Sequence, residues 1–246
     1  VQAAQSSEEQ ITISHSWVNP HHIYDGALKK SAYPRVASLG NIAANTVINT
    51  TTVEELKAAV YDNIRQYNTS FSIAYKGNTS TLSQDLNNIL EGIQTDVTMT
   101  YEAGTISSSL YSMSYYVNDV TITFTMNYLT TAEQEAFVDS EVKRIAGELF
   151  TSTMSDVDKV KAVNDYIVLN TTYSTQTTAS PHAAYAILKE GKGVCQAYAL
   201  LAYRLLKEAG LEAYYVTGEA ERVPHGWNLV KVNGKWYHLD TTWNDP

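Results

Sequence analysis

Residues 191–206, GKGVCQAYALLAYRLL, decide how this chain is read. Val194, Tyr198, Leu201 and Leu205 recur at i, i+4, i+7 and i+11, the spacing of one helical stripe. Ala199, Leu200 and Leu206 make most of the remaining surface apolar, so the stretch predicts a buried helix. Gly191 and Gly193 keep the entering backbone thin, and Gly210 is placed to end the helix. The single cysteine, Cys195, falls in the first turn, where unpaired N–H groups and the helix dipole favour negative charge. Such a position lowers a thiol pKa from ~8.5 into a range of roughly 3.5–7.5. The plain alternative for a lone helical cysteine is an inert buried thiol.

The C-terminal segment of the chain weighs against that alternative. Residues 225–246 read HGWNLVKVNGKWYHLDTTWNDP, and their centre is a hairpin around Asn233-Gly234, a pair that specifies a two-residue type I′ loop. That loop sets Val232 against Lys235, Val230 against Tyr237 and Trp227 against Asp240. Pairing continued to His225 makes it a diagonal neighbour of Asp240, ~7–8 Å away at the backbone, which an imidazole and a carboxylate can bridge. His238 shares the face but lies on Asp240's own strand, so it is the weaker partner. Cys195, His225 and Asp240 thus supply a nucleophile, a general base and a group that orients the base.

GVCQAYA at residues 193–199 followed by the 225–246 segment resembles the transglutaminase-like superfamily, and within it bacterial transglutaminase-core proteins more than the large animal crosslinking enzymes. TTYS at 171–174 and SPHAAYAIL at 180–188 extend the resemblance over about residues 131–246. It implies an α+β, papain-like core in which the helix bearing the cysteine packs on an antiparallel sheet. Cys195, His225 and Asp240 match the family's triad by position. The implied activity is thiol-dependent acyl transfer or hydrolysis on peptide or protein amides, needing no cofactor and no metal. The Cys195 N–H is a natural oxyanion donor. A second donor comes from upstream: Tyr173 by its place in the motif, with Gln176 behind it. Trp227 is a candidate substrate-binding residue that shields the ion pair from water, or else a structural aromatic on the sheet. Ser174 stands where the family commonly has Asp, and members commonly continue into further strands beyond the position of Pro246, so a core cut short at its C-terminus is expected.

Composition narrows the classes. Hydrophobic residues at 44% with charged residues at 17% describe a soluble globular chain. A net charge of −9 without a basic stripe argues against nucleic acid. No apolar run approaches the ~20 residues of a membrane span. One cysteine rules out an internal disulfide framework. Abundant Ser, Thr, Asn and Tyr, with VQAAQ at the start, suggest an exported protein at the cell surface, for which the partner is a protein or peptide, including a cell-wall or surface protein. A non-catalytic surface-organising or binding module that kept the papain-like core is the rival to an enzyme.

The remainder divides into residues 1–40, of uncertain structure, and a small α+β domain at 41–130 preceding the core at 131–246. ITISHSWVN alternates like a strand, while His15, His21 and His22 fit no usual ligand spacing. Thr52–Glu55 is a capping box opening a helix to about Tyr67. Phe71 to Tyr75 reads as a strand, and Ser80 or Thr81 caps a helix to Gly92. Ile106–Val117 and Val120–Tyr128 form a hairpin. In the core, Thr131–Phe150 and the segment after Ser155 are helices, and Ser180-Pro181 opens another with Pro at its first position.

Overall fold

The computed structural model describes residues 10–11, 17–18, 48–116 and 119–245; His15, His21 and His22 lie outside them. The chain divides into two units, one of residues 1–93 and 106–128, the other of 94–105 and 129–246.

In the first unit, short strands β1 (Gln10–Ile11), β2 (Trp17–Val18) and β3 (Ile48–Thr50) precede helix α1 (Val53–Arg65). The expected capping box is present: Thr52 Oγ1 accepts the Glu55 N–H, and the Glu55 carboxylate accepts the Thr52 N–H. The helix stops two residues before Tyr67, which takes a left-handed φ of 56°. Next come strand β4 (Ser70–Tyr75), helix α2 (Leu82–Gly92) and the hairpin of β5 (Ile106–Tyr115) and β6 (Val120–Tyr128). Together the strands form one sheet ordered β1-β5-β6-β4-β3 with β2 also on β5, antiparallel except for β3 beside β4. Leu56, Val60 and Ile64 of α1 are fully buried, as are Ile73, Leu86, Tyr111 and Phe124.

The second unit begins with the segment between α2 and β5. A 3₁₀ turn (Val97–Met99) runs into helix α3 (Thr100–Thr105). The chain therefore passes between units three times, where the sequence suggests one passage near residue 130. Helix α4 (Ala132–Leu149) carries a Thr131–Gln134 capping box, and α5 (Asp156–Asn170) a Ser155–Asp158 box. Strand β7 (Thr172–Tyr173), helix α6 (Ala184–Glu190), strand β8 (Lys192–Gly193) and helix α7 (Cys195–Glu208) come next. Strands β9 (Ala213–Ala220), β10 (Val223–Val232) and β11 (Lys235–Leu239) form an antiparallel sheet ordered β11-β10-β9.

Helix α7 is the buried centre of this unit. Tyr198, Leu200, Leu201, Leu205 and Leu206 are all at 0% exposure, packed with Val138, Val142, Val163 and Ile167 of the helices and Val230 of the sheet. A helix buried on every side cannot be stable alone in water, so its apolar circumference demands both a helical layer and a sheet. At its end Gly210 takes φ +79°, and the N–H groups of Gly210 and Leu211 close onto the carbonyls of Lys207 and Leu206, a Schellman termination.

One local expectation differs. Ser180 and Pro181 do not start α6, which begins at Ala184 after an Ala183 cap without a side-chain bond. Residues 180–183 are a turn closed by the Ala183 N–H on the Ser180 carbonyl, and the Pro181 carbonyl accepts the Val194 N–H at 2.9 Å. That carbonyl holds the residue preceding Cys195, a role that starting the helix at Pro181 would have removed.

Candidate active site

Cys195 is the first residue of α7. Its N-cap, Val194, is extended (φ −112°, ψ 176°) and offers no side-chain acceptor, so the first-turn N–H groups are left for other partners. Glycine is required at 193 because a Cβ there would stand 2.9 Å from Ala197 Cβ and from Ile187 Cγ1. Strands β7 and β8 pair in parallel, with the Thr172 N–H on the Gly191 carbonyl and the Ser174 N–H on the Gly193 carbonyl. This rung carries Tyr173 toward the cysteine, and burial together with the charge of Cys195 pushes the Tyr173 hydroxyl above its ordinary value.

The hairpin forms in the expected register, with Val232 opposite Lys235 and Val230 opposite Tyr237. Asn233 and Gly234 take φ of 49° and 77°, both positive as a type I′ turn requires. His225, 6% exposed, directs Nε2 to Asp240 Oδ2 at 2.7 Å. The other carboxylate oxygen of Asp240 accepts the N–H groups of Thr242 (3.1 Å) and Trp243 (3.2 Å), which fix its plane. With Nε2 committed to Asp240, Nδ1 is the nitrogen left for Cys195, whose thiolate His225 and the Gly226 N–H both favour.

Two indoles hold the imidazole. Trp227 stacks on it at 5.9 Å and 19°, and Trp243 lies 5.5 Å away at 37°. Trp227 fits over Gly218, where a Cβ would come within 2.7 Å of the ring, and its Nε1–H donates to His238 Nδ1 at 2.8 Å. His238 is thus a partner of Trp227, while Asp240 belongs to His225.

The electrostatics of the three groups are coupled. Burial pushes the Cys195 thiol up, but hydrogen bonds from His225 and the Gly226 N–H outweigh it, and the thiol lies below its ordinary value. His225 is raised to about 9, first by the hydrogen bond to Asp240, then by Cys195, against burial. Asp240 is pushed up by burial yet held below the usual carboxylate range by His225 and the two backbone N–H groups. A thiolate–imidazolium pair beside a carboxylate is the state this arrangement favours.

Of the remaining candidates, Tyr173 is at the thiol. Gln176 is exposed, its N–H turned onto Ser174 Oγ, and among the described residues it makes no hydrogen bond to Cys195. Sequence reasoning missed Gln196, which is buried beside the cysteine and donates to the Gly104 carbonyl at 2.6 Å while its Oε1 meets His182 Nδ1 at 3.1 Å. It also missed Gly226, whose N–H reaches the thiol, and Tyr215, whose ring fills the space that a Cβ on Gly226 or Gly104 would take. Only a glycine set inside an alternating strand hints at these contacts. Among the described residues no group of three or more His, Cys, Asp or Glu is arranged to hold a metal ion, and no helix is long and apolar enough to cross a membrane.

Comparisons with known proteins agree with this architecture at the level of family. Residues 143–241 match the family model of the transglutaminase-like superfamily. Kyphoscoliosis peptidase of Mus musculus is 24% identical over 131 residues, covering 47% of this chain and 20% of its own. A crystal structure of a TGase is 18% identical with a TM-score of 0.41, covering 80% of this chain and 59% of that one. A candidate cysteine protease of Cytophaga hutchinsonii is 20% identical with a TM-score of 0.38, covering 55% and 58%. The chain spans a fifth of the mouse relative's length and under two thirds of each of these structures.

Proposed function

Because residues 143–241 match the family model of the transglutaminase-like superfamily, we propose that the chain is a thiol acyltransferase or hydrolase acting on peptide or protein amides through Cys195, His225 and Asp240. The observation that carries this reading is the bond of His225 Nε2 to Asp240 Oδ2 at 2.7 Å, which leaves the other ring nitrogen for Cys195, the residue to which His225 is electrostatically coupled.

The Cys195 thiolate attacks the amide carbonyl carbon, and a C–S bond forms as the carbonyl oxygen becomes an oxyanion. That oxygen accepts the Cys195 N–H, and Tyr173 turns its O–H onto it as the second donor. Imidazolium at His225 gives its Nδ1 proton to the departing nitrogen, the C–N bond breaks, and ammonia or an amine leaves from the thioester. Water or an incoming amine then attacks, His225 takes the proton, and the thiolate is released. Asp240 holds the ring in its orientation and offsets its positive charge throughout. The two indoles keep water from the ion pair and strengthen it. Action outside the cell, on a surface or wall protein, is part of the same proposal; it rests on the composition and the single thiol.

Hydrolysis outpaces crosslinking in this reading, because water is present at ~55 M and an amine competes only when held at high effective molarity. The test supplies a glutamine-containing protein and a fluorescent primary amine, with Cys195→Ala as control. Ammonia release or cleavage that depends on Cys195 supports the proposal. Silence in every channel across varied substrates removes it in favour of a non-catalytic module.

A further inference from the structure

Beside Tyr173 lies a cleft of about 390 Å³ lined by Thr171, Thr172, Tyr173, Thr242 and Asp245. Its rim and walls are hydroxyls, one aromatic ring and one carboxylate. The Asp245 carboxylate is held in place by the Tyr198 hydroxyl, which donates to Oδ2 at 2.6 Å. Among the described residues it has no cationic partner. Thr171 is 7% exposed, and its hydroxyl, buried in the lining, has no hydrogen-bond partner. A carboxylate without a counter-charge among the described residues, lining a cleft with an aromatic ring beside it, is a group that a cationic ligand would satisfy. Tyr173 ties the cleft to the reacting atoms: it lines the cleft, and its strand pairs with the segment that leads into Cys195. The cleft therefore opens one tyrosine side chain from the thiol, about two residues along an extended peptide.

We propose that this cleft is a specificity subsite that takes the ammonium or guanidinium of a lysine or arginine in the acyl-donor peptide, with Asp245 as its counter-charge. Such a subsite presupposes the acyl-transfer chemistry proposed for Cys195. The positive head sits between the Asp245 carboxylate and the Tyr173 ring, whose face attracts cations. Threonine hydroxyls at 172 and 242 accept its remaining N–H groups. An acidic side chain at the same substrate position meets Asp245 as a like charge and is rejected. Asp245 is thereby a specificity residue, acting on binding and not on bond making.

The test measures binding of two peptides to Cys195→Ala protein, acetyl-Lys-Gly-Gln-Gly-Gly-amide and acetyl-Gly-Gly-Gln-Gly-Lys-amide, each against its norleucine isostere. One lysine peptide is expected to bind at least fivefold more tightly than its isostere. In Cys195→Ala/Asp245→Asn, where the amide still accepts the Tyr198 hydroxyl, that preference should fall to within twofold. Equal binding of lysine and norleucine peptides, or a preference that survives Asp245→Asn, overturns the proposal. If Asp245 is only a latch for Tyr198, then Asp245→Asn and Tyr198→Phe lower thermal stability and leave the lysine-to-norleucine ratio unmoved, which also overturns it. Turnover by the unsubstituted protein separates the two readings. A lysine preference without Cys195-dependent turnover upholds the cleft and removes the proposed function. Cys195-dependent turnover indifferent to lysine does the reverse.

Discussion

His225 Nε2 and Asp240 Oδ2 meet at 2.7 Å across a hairpin whose turn has two residues, Asn233 and Gly234, both in left-handed conformations. Because side chains alternate along a strand, an even loop keeps the two on one face of the sheet and a one-residue slip would put them on opposite faces. The pairing also leaves His238 to Trp227. Inserting a single alanine after Gly234 is expected to abolish thiol activation while leaving the chain folded, as read by alkylation kinetics alongside circular dichroism.

Thiol activation itself is accessible in solution. The thiol is held below its ordinary value, so alkylation of Cys195 by iodoacetamide should reach half its plateau at a lower pH than a free cysteine does. His225→Ala removes the hydrogen bond and the positive charge, and should move the profile upward by at least one pH unit. Asp240→Asn should move it less, since it acts through His225. Superimposable profiles for all three proteins would contradict the coupling.

The His225–Asp240 pair links stability to pH with a definite sign. His225 is raised from an ordinary 6.5 to about 9, so the folded chain holds its proton more tightly than the unfolded one. The stabilisation is complete below pH 6.5 and is lost as the pH rises through the folded value. Asp240, held low, contributes above the ordinary carboxylate range and loses its contribution as the pH falls through its own depressed value. Cys195 runs opposite to His225 at alkaline pH, so the measurement belongs in a Cys195→Ala background. There, the urea-midpoint gap between His225 and His225→Gln proteins should be constant near pH 5–6 and should close as the pH rises through the folded value, which lies below that of the native chain because the contribution of Cys195 is gone.

Packing under the site leaves no spare volume at Gly104. A Cβ there would stand 2.7 Å from Leu200 Cδ2 and 3.0 Å from the Tyr215 ring, both buried. Gly104→Ala is therefore expected to cost about 1–3 kcal/mol by overpacking. Gly147, where nothing lies within 4 Å, is the control: Gly147→Ala, in α4, should stabilise by about 0.5–1 kcal/mol. Thermal denaturation of the two variants checks the contrast.

Glu135 is 6% exposed and accepts from the Tyr101 hydroxyl at 2.8 Å and the Thr130 hydroxyl at 2.7 Å, with Arg204 at 3.7 Å. Burial raises its pKa in spite of these partners. Glu135→Ala strips all three groups of a partner and should cost about 3 kcal/mol in urea unfolding. Glu135→Gln keeps an acceptor for the hydroxyls and should cost roughly half of that. Equal stability of both variants with the native chain would show the network to be idle.

The elements that were legible in the sequence are those whose signals are local. The boxes at Thr52 and Ser155 each close within four residues, and Asn233-Gly234 sets its register without reference to anything distant. Cys195, His225 and Asp240 were readable because a helix start and a two-residue turn place them. The hidden features depend on partners far along the chain. Ala132 on α4 is apolar and exposed, whereas Glu135 on the same helix is buried because Tyr101 and Arg204 arrive to satisfy it. Residues 94–105, QTDVTMTYEAGT, show no period at all, and their place in the second unit comes from contacts with α7 and β9. The cleft at Asp245 is assembled from two segments more than sixty positions apart, and no spacing rule joins them.

The bond from Gln196 to the Gly104 carbonyl spans 92 positions and ends beside the nucleophile. It means that the unit bearing Cys195 is not a simple C-terminal fragment of the chain. A gene piece starting at 129 would express α7 with its second residue deprived of an acceptor, Leu200 and Tyr215 bared to solvent, and Glu135 without Tyr101. Anyone seeking a minimal active domain must graft the dodecapeptide 94–105 onto it, for instance as a tethered N-terminal extension, or keep the intervening hairpin whole.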